Sequence, residues 1–326
     1  MRVGVTGPMW SDSLAANVID TLSAMGHDPV PIGSSYSLGG PRAARAVGAI
    51  RGALPGLDER TQQRIARSAL DRECEIVINL ESRLMPSVVS HLRSNGVKVA
   101  LWFTDAMLSM WRQMMLLARY DAVFLKEPHL VDRLRSMLDL PVWYLPEACN
   151  PRWHRPVVAP CTERFMVIAG NMYPSRIRLL ERLMASGIPL RLYGPGFPRW
   201  AGSTPLRDVH TGRFAFTEEK ARVFRSAAVV LNNLHPAEIH GVNARLFEAA
   251  SCGAAVLTEF RPALPELFEI GTEVLAFADF GELLSQAEQL LGDASIGAKL
   301  GDAAALRAHE SHTYDKRLAV ILERLS

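Results

Sequence analysis

The stretch Val3-Gly4-Val5-Thr6-Gly7 is a short apolar run ending in glycine, which is typical of a buried strand followed by a tight turn. The next segment, 12–25, has apolar residues at helical spacing, and a second short apolar run follows at 29–32. A strand, a helix and a strand in this order predict a βαβ unit with parallel strands. The chain therefore opens as an α/β domain.

The alternation of strands and helices continues to about residue 145 and then resumes. In the first half, strands are predicted at 76–80, 97–103, 122–126 and 142–145, and helices at 61–70, 85–94 and 106–117. In the second half, strands are predicted at 165–169, 190–193, 229–232 and 255–258, and helices at 175–186, 218–226, 244–252, 280–291 and 296–309. Four prolines between residues 146 and 160 indicate a linker. We therefore expect two domains, 1–155 and 156–326, with a cleft between them.

The composition is that of an ordinary globular protein, since 48% of the 326 residues are hydrophobic and 21% are charged. A formal net charge of +2 gives no reason to expect nucleic acid or an anionic membrane surface as a partner. The four cysteines form no CxxC pair and no cluster with metal-ligand spacing, so we expect reduced thiols and no metal site. The chain begins on a strand and has no long apolar run, which predicts a cytoplasmic protein without an integral membrane segment.

The run Gly241-Val242-Asn243-Ala244-Arg245-Leu246-Phe247-Glu248 predicts a glycine turn, an N-cap at Asn243 and a helix. The free N–H groups and the positive dipole end of such a helix suit a diphosphate. The Glu248 carboxylate, about one turn further on, can accept hydrogen bonds from ribose hydroxyls. The same pattern fits an ordinary amphipathic helix with an exposed Arg245–Glu248 pair, so the residues alone leave both interpretations open.

A family resemblance extends from about Trp102 to Arg317. The run Asn243-x-Arg245-x-Phe247-Glu248-Ala249-x-x-Cys252-Gly253 resembles the donor-site signature of the CgeB-like glycosyltransferases, within the broader GT-B, family-4-like group. The other marks follow in the family's order: Tyr120-Asp121, Tyr144-Leu145-Pro146-Glu147-Ala148, Gly170 with Arg176, Leu192-Tyr193-Gly194, Val230-Leu231-Asn232, Glu273-Val274 and His312-Thr313-Tyr314-x-x-Arg317. The first 100 residues match only as a generic α/β domain.

The resemblance implies the GT-B fold, in which two Rossmann-like parallel-sheet domains face each other across a cleft. It implies that the last helix, about 312–326, packs on the N-terminal domain. It also implies that the C-terminal domain binds a UDP-, GDP- or dTDP-linked sugar. Glu248 would then hold the ribose, while Arg176 would neutralise the diphosphate leaving group with a bidentate guanidinium. The implied donor-site residues are Gly170, Arg176, Tyr193, Gly194, Asn232, Gly241, Asn243, Arg245 and Glu248.

One position departs from the pattern of related retaining enzymes, which carry two glutamates eight positions apart. Eight positions before Glu248 this chain has His240. Because His240 can contact the hydroxyls of the transferred sugar or a phosphate, it joins Arg176 and Asp105 as a candidate catalytic residue. The resemblance favours retention of the anomeric configuration, and the missing glutamate leaves that outcome open.

The acceptor-side candidates lie at or near the carboxyl ends of the predicted N-terminal strands, where doubly wound sheets bind ligands. They are Gly7, Trp10, Asp105 and Glu147. Asp105 follows the predicted strand 97–103 and is the candidate base, the alternative being an N-cap for the predicted helix 106–117. Gly4 and Gly7 lack the third glycine of a GxGxxG fingerprint, which argues against an NAD-dependent dehydrogenase.

The sequence thus predicts a metal-independent glycosyltransferase that moves a hexose-type unit to an acceptor hydroxyl and needs no cofactor besides its nucleotide-sugar substrate. The acceptor stays open between a glycan, a small natural product and a protein, and a homodimer is compatible with the pattern. Two alternatives remain. One is a sugar-nucleotide epimerase that uses Asp105 and His240, and the other is a non-catalytic GT-B-like interaction protein. The presence of both Arg176 and Glu248 argues against the second.

Overall fold

The computed structural model describes residues 1–34, 55–106, 109–158 and 164–326. The chain divides into two compact units. The first unit comprises Met1–Pro146 with Tyr314–Ser326, and the second comprises Glu147–Thr313. The division comes earlier than the boundary predicted after residue 155, because Cys149 and Asn150 of the expected linker are fully buried in the second unit.

The first unit is built on a six-stranded parallel sheet with the order β2-β1-β3-β4-β5-β6. Its strands are β1 (Arg2–Thr6), β2 (Asp28–Gly33), β3 (Ile76–Asn79), β4 (Lys98–Phe103), β5 (Ala122–Leu125) and β6 (Val142–Tyr144). Its helices are α1 (Leu14–Ala24), α2 (Pro55–Asp71), α3 (Pro86–Ser94), α4 (Pro128–Leu138) and the last helix of the chain, α11 (Tyr314–Leu325), with a 3₁₀ segment at Trp111–Leu116. Strands β3 and β5 are buried at every position, as expected of parallel strands covered on both faces.

The strand order of the first unit reverses direction between β1 and β3, which makes the carboxyl ends of these strands a topological switch point. Three buried side chains join the two strand ends. The Thr6 hydroxyl donates to Oδ1 of Asn79 at 2.7 Å, and Nδ2 of Asn79 donates to the Tyr120 hydroxyl at 2.8 Å. Burial raises the pKa of Tyr120, so its hydroxyl stays protonated at neutral pH.

The second unit is built on a five-stranded parallel sheet with the order β11-β10-β9-β7-β8. Its strands are β7 (Met166–Ala169), β8 (Leu190–Tyr193), β9 (Val229–Asn232), β10 (Val256–Glu259) and β11 (Leu275–Phe277). Its helices are α5 (Pro174–Ala185), α6 (Thr217–Ser226), α7 (Ala244–Ser251), α8 (Leu264–Leu267), α9 (Phe280–Gly292) and α10 (Ala294–Ser311).

Two hydrophobic clusters cover the faces of this second sheet. Along β7, Val167 and Ala169 belong to one cluster, whereas Met166 and Ile168 belong to the other. Successive side chains of a strand point to opposite faces, so the two clusters lie on opposite sides of the sheet. Both faces are therefore dry, and the edge formed by the carboxyl ends of the strands is the place left for polar chemistry.

The last helix, α11, belongs to the first unit. Its first residue, Tyr314, packs edge-on against Trp102 of β4, with ring centroids 5.9 Å apart. One turn later, Nε of the buried Arg317 donates to the carbonyl oxygen of Pro146 at 3.1 Å. These contacts attach the C-terminal end of the chain to the sheet that begins it.

The predicted helix at 106–117 is wrong. Within the described part of this segment the regular element is the 3₁₀ helix Trp111–Leu116. Gln113 adopts a left-handed φ of 53° there, which an α-helix of L-residues does not accommodate. The sequence analysis also missed α4, whose first residue is Pro128, and β11, which has only three residues. Short elements such as β11 carry too few residues to show a period.

The described cysteines Cys74, Cys149 and Cys252 are buried and form no disulfide with one another, and Cys161 lies outside the described residues. Within the described ranges no helix is both long enough and apolar enough to span a membrane.

Candidate functional site

The second sheet also has a switch point, between β7 and β9, because the chain goes from β7 to β8 on one side and then returns to place β9 on the other. Gly170 follows β7, and Asn233 follows β9. Gly170 has a φ of 131°, a conformation that glycine adopts without strain and other residues rarely adopt. Ligands of open α/β sheets bind in the crevice at such a point.

Arg176, on the first turn of α5, is held at this crevice by a fixed set of acceptors. Its Nε donates to Oδ1 of Asn233 at 2.8 Å, and its Nη2 donates to the Asn233 carbonyl at 2.9 Å. Its Nη1 donates to the Asn171 carbonyl at 2.8 Å, and the guanidinium carbon lies 4.4 Å from the centroid of the Tyr173 ring. Arg176 is only 3% exposed, so its position is set by the protein and not by solvent.

Arg245, on the first turn of α7, brings a second guanidinium to the same backbone position. A Cβ atom built on Gly170 would lie 2.6 Å from Nη2 of Arg245 and 3.3 Å from Nη1 of Arg176. Glycine at this position therefore leaves room for both side chains. Neither guanidinium forms an ion pair with a carboxylate in the part of the chain that the structure describes.

The two cations affect each other electrostatically. Burial lowers the pKa of Arg176 to about 10, and the charge of Arg245 is the second cause. Arg176 stays protonated at neutral pH, but its charged form is less stable there than in water. An anion bound beside both groups would remove this penalty, so the pair has the electrostatics of an anion-binding site.

Helix α7 starts as the sequence predicts. Asn243 is its N-cap, with Oδ1 accepting from the backbone N–H of Arg245 at 3.1 Å. Gly241 in the preceding turn is buried. Gly253 follows the helix with a φ of 74°, the left-handed conformation that commonly ends helices. The positive dipole end of α7 thus lies at the same side of the sheet as the Arg176–Arg245 pair.

Glu248 is not part of an exposed pair with Arg245, so that alternative interpretation of the helix is wrong. Glu248 is 8% exposed, and its Oε2 lies 3.0 Å from Nζ of Lys220 on α6. Lys220 is also 8% exposed. The sequence analysis missed Lys220, because α6 and α7 are separate in the chain and no motif links them.

Three other predicted residues of the second unit, Tyr193, Gly194 and Asn232, lie at or next to the ends of strands. Tyr193, at the end of β8, is buried and accepts from Gly170 N–H through its carbonyl at 2.9 Å. A Cβ on Gly194 would lie 2.8 Å from the Gly170 carbonyl oxygen, so this glycine lets the two strand ends approach. The fully buried Asn232 turns towards β10, where Nδ2 donates to the Thr258 hydroxyl at 3.1 Å.

The residue at this strand end that contacts Arg176 is Asn233, one position after the predicted Asn232. Successive residues face opposite ways at a strand end, so the side chains of Asn232 and Asn233 turn to different sides. His240 is half-buried in the loop before α7, and its carbonyl oxygen accepts from the Ala263 N–H at 3.1 Å. Its catalytic role stays a prediction.

The predicted residues on the acceptor side are placed as follows. Gly7 follows β1 with a φ of 131° and donates its N–H to the Gly33 carbonyl at 3.0 Å. Trp10 is 61% exposed, and Asp105 is exposed, with Oδ1 accepting from the next N–H at 2.9 Å. Glu147 is the first residue of the second unit and is half-buried.

The first unit also contains a buried carboxylate that the sequence analysis did not single out. Glu81 comes two residues after β3 and is 3% exposed. It accepts a hydrogen bond from the Ser34 hydroxyl. Ser34 lies at the carboxyl end of β2, and Glu81 lies at the carboxyl end of β3. No motif pointed to Glu81, because its burial follows from the order of the strands.

The proximity of Arg176 and Arg245 predicts that loss of one charge raises the stability of the protein but weakens its binding of anions. Replacing Arg245 with methionine should stabilise the ligand-free protein by about 0.5 kcal/mol, on the scale of a partly exposed charge pair, because it removes the repulsion on Arg176. It should also weaken pyrophosphate binding by about tenfold. Thermal unfolding with and without pyrophosphate measures both effects. Lower stability together with unchanged pyrophosphate binding would contradict the assignment.

Comparison with known proteins adds a family match and a set of structural neighbours. Residues 176–323 match a family model described as glycosyl transferase-like. No curated protein sequence matches the chain. The family match includes both arginines of the crevice and the whole of α7.

The structural neighbours cover the whole chain at low sequence identity. Sucrose-phosphate synthase from Thermosynechococcus elongatus has a TM-score of 0.74 at 14% identity, covering 99% of this chain and 97% of that one. Anabaena Alr3699/HepE in complex with UDP has a TM-score of 0.71 at 12% identity, covering 100% of both chains. An α,α-trehalose-phosphate synthase (UDP-forming) from Burkholderia xenovorans, in complex with glucose-6-phosphate, has a TM-score of 0.66 at 11% identity, again covering 100% of both.

At these identities the neighbours establish the fold and not the activity. The predicted fold class, two parallel-sheet α/β domains of the GT-B type, is confirmed. The chain therefore has the GT-B fold, and its residues 176–323 match a glycosyl transferase-like family model.

Proposed function

We propose that this protein transfers a hexose-type sugar from a nucleoside diphosphate to an acceptor hydroxyl. The observation that carries the proposal is the Arg176–Arg245 pair at the switch point of the second sheet. Two guanidinium groups without a carboxylate partner among the described residues flank Gly170, beside the N-terminus of α7. This arrangement is complementary to the negative charge of a diphosphate.

The chemistry follows from where charge develops. When the bond between the anomeric carbon and the diphosphate breaks, the bonding electron pair stays on the leaving oxygen. Cationic donors that are fixed before the reaction stabilise that charge without having to reorganise. Arg176 meets this condition, because Asn233 and the Asn171 carbonyl hold three of its nitrogens. Two guanidinium groups and the helix dipole would supply the positive charge, so we propose a metal-independent reaction without a further cofactor.

The finer parts of the proposal rest on the family resemblance and on the neighbours. The motif around Asn243 and Glu248 supports a CgeB-like enzyme, and the Anabaena neighbour is described in complex with UDP and with UDP-glucose. We therefore propose UDP as the first nucleotide to test, with Glu248 at the ribose. His240 in place of a glutamate leaves the stereochemical outcome to experiment.

The acceptor side belongs to the first unit in this proposal. Gly7, Trp10 and Asp105 follow strands at the carboxyl edge of its sheet, and Glu81 adds a buried carboxylate there. Acceptors rich in hydroxyl groups suit such carboxylates, because an ionised carboxylate accepts hydrogen bonds and donates none. A cytoplasmic location and a homodimer are further proposals.

Calorimetric titration with UDP, GDP and dTDP tests the proposal most directly. We expect at least one of them to bind, and we expect Arg176→Ala to weaken that binding. Arg178, on the same helix α5, is highly exposed, so Arg178→Ala is a matched control that should bind normally. If none of the three nucleotides binds the wild-type protein, the glycosyltransferase assignment fails.

A further inference from the structure

A cavity of about 320 Å³ lies in the second unit, at the amino ends of its strands. Its lining includes Arg164, two residues before β7, Ala228, directly before β9, and Ala255, directly before β10. The Arg176–Arg245 pair lies at the carboxyl ends of these strands, and a strand of four residues is about 13 Å long. The cavity is therefore separate from the proposed donor site, and the transfer reaction does not use it.

The walls of the cavity consist of small apolar residues and backbone. Apart from Arg164 and Arg225, every described lining residue is an alanine or a glycine. One wall is fixed by close packing, because a Cβ on Gly301 of α10 would lie 2.2 Å from the Gly253 carbonyl oxygen. Alanine methyl groups gain from covering the hydrocarbon part of a ligand, whereas they offer nothing to a chain of hydroxyl groups. The volume is at the lower end of the range for small-molecule sites, which starts at about 300 Å³.

The charge of the lining is positive. Two guanidinium groups line the cavity, and no acidic residue does so among the described residues. Nη2 of Arg164 donates to the Leu290 carbonyl at 3.1 Å, and Nη1 of Arg225 donates to the Gly253 carbonyl. These bonds anchor both groups and leave further N–H donors of each guanidinium available. Two cations beside an apolar wall are complementary to a ligand with an apolar body and one anionic head.

Exposed carboxylates outside the lining offset only part of this charge. Oδ1 of Asp302 lies 3.3 Å from Nη2 of Arg225, and the Asp302 side chain is 70% exposed. Asp293 is the N-cap of α10 and accepts from the Ser295 N–H at 2.8 Å. Within the described ranges Arg164 forms no ion pair. Ion pairs at such exposure are weak and screened by salt, so an anionic ligand can compete for Arg225.

We propose that this cavity binds a small amphiphilic carboxylate of the size of a medium-chain aliphatic acid. The hydrocarbon part lies against the alanine walls, and the carboxylate binds Arg164 and Arg225. The inference goes beyond the proposed function and holds whether or not the protein transfers a sugar. Gly253, which follows α7, is part of the lining, so the ligand lies at the opposite end of α7 from Arg245.

Calorimetric titration with octanoate tests the inference, with 1-octanol and acetate as probes that each lack one half of the ligand. Octanoate should bind at least about tenfold more tightly than 1-octanol, because the alcohol lacks the charge. It should bind at least about a hundredfold more tightly than acetate, because each methylene group that leaves water adds to the affinity. Saturating pyrophosphate should leave the octanoate affinity unchanged, since the two anions bind at opposite edges of the sheet. Absence of octanoate binding, or its displacement by pyrophosphate, would overturn the inference.

A variant that fills the cavity locates the bound octanoate. Gly297 lines the cavity from α10, and a Cβ built on it would lie at ordinary contact distance, 3.4 Å from the Ala255 Cβ. Leucine favours a helix more than glycine does, so Gly297→Leu should fold with unreduced thermal stability. It should weaken octanoate binding at least about tenfold, because the side chain occupies the space of the hydrocarbon. An unchanged octanoate affinity in this variant would place the ligand elsewhere and overturn the inference.

A charge variant and its matched control complete the experiment. The double variant Arg164→Gln, Arg225→Gln removes both cations and should reduce the octanoate affinity to that of 1-octanol. Arg222→Gln removes an exposed cation from the same helix as Arg225 and should keep the wild-type affinity. Equal losses in the double variant and in Arg222→Gln would show an effect of overall charge and contradict the assignment of the two arginines.

Discussion

Arg176→Ala should lower the rate of nucleoside diphosphate release from the sugar nucleotide by at least about tenfold. The guanidinium is held by Asn233 and Asn171 before any ligand arrives, so alanine removes a donor that needs no reorganisation. The loss should therefore appear in kcat as well as in the affinity for the diphosphate. A coupled assay for the released nucleoside diphosphate measures both.

Arg176→Lys separates charge from geometry. Lysine keeps the cation but cannot make the planar, forked contacts to Asn233, so its activity should lie between those of the wild type and of Arg176→Ala. Arg178→Ala is the matched control, because Arg178 lies on the same helix, is highly exposed, and pairs with Glu181 at 3.5 Å on the surface. Near-normal turnover in Arg176→Ala would contradict the assignment of the leaving-group site.

Lys220→Met should have the largest effect on stability, lowering the free energy of unfolding of the second unit by about 3 kcal/mol. The reason is that the variant leaves the Glu248 carboxylate buried without its cation, and desolvation of an unpaired charge is expensive. Chemical denaturation, followed by a signal from the second unit, measures the change.

The double variant Lys220→Met, Glu248→Met is the control for this effect. It removes both charges together, and replacing a buried ion pair by apolar groups of similar size is often nearly neutral. It should therefore recover most of the stability that the single variant loses. If Lys220→Met alone unfolds within about 0.5 kcal/mol of the wild type, the pair is solvated and the burial argument is wrong.

Most of the fold could be predicted from the sequence. The strands Leu190–Tyr193 and Val229–Asn232 have the predicted bounds, because a run of only four residues is too short for a helix and suits a buried strand. The structure of the segment 106–117 could not be predicted, because glutamine is not a helix-breaking residue and the left-handed conformation of Gln113 has no local signal. The structure divides the chain between Pro146 and Glu147, before the predicted boundary at residue 155, and the burial of Cys149 and Asn150 behind this difference is a tertiary property.

The candidate site, too, could be predicted only in part from the sequence. The sequence by itself determined the glycine turn, the Asn243 cap and the first turn of α7, because capping depends on residues two or three positions apart. Only the tertiary structure showed that Arg176 is held by Asn233, that Arg245 reaches Gly170, and that Lys220 pairs with Glu248. These contacts join residues far apart in the chain, and the order of parallel strands, which no local pattern encodes, decides which strand ends become neighbours.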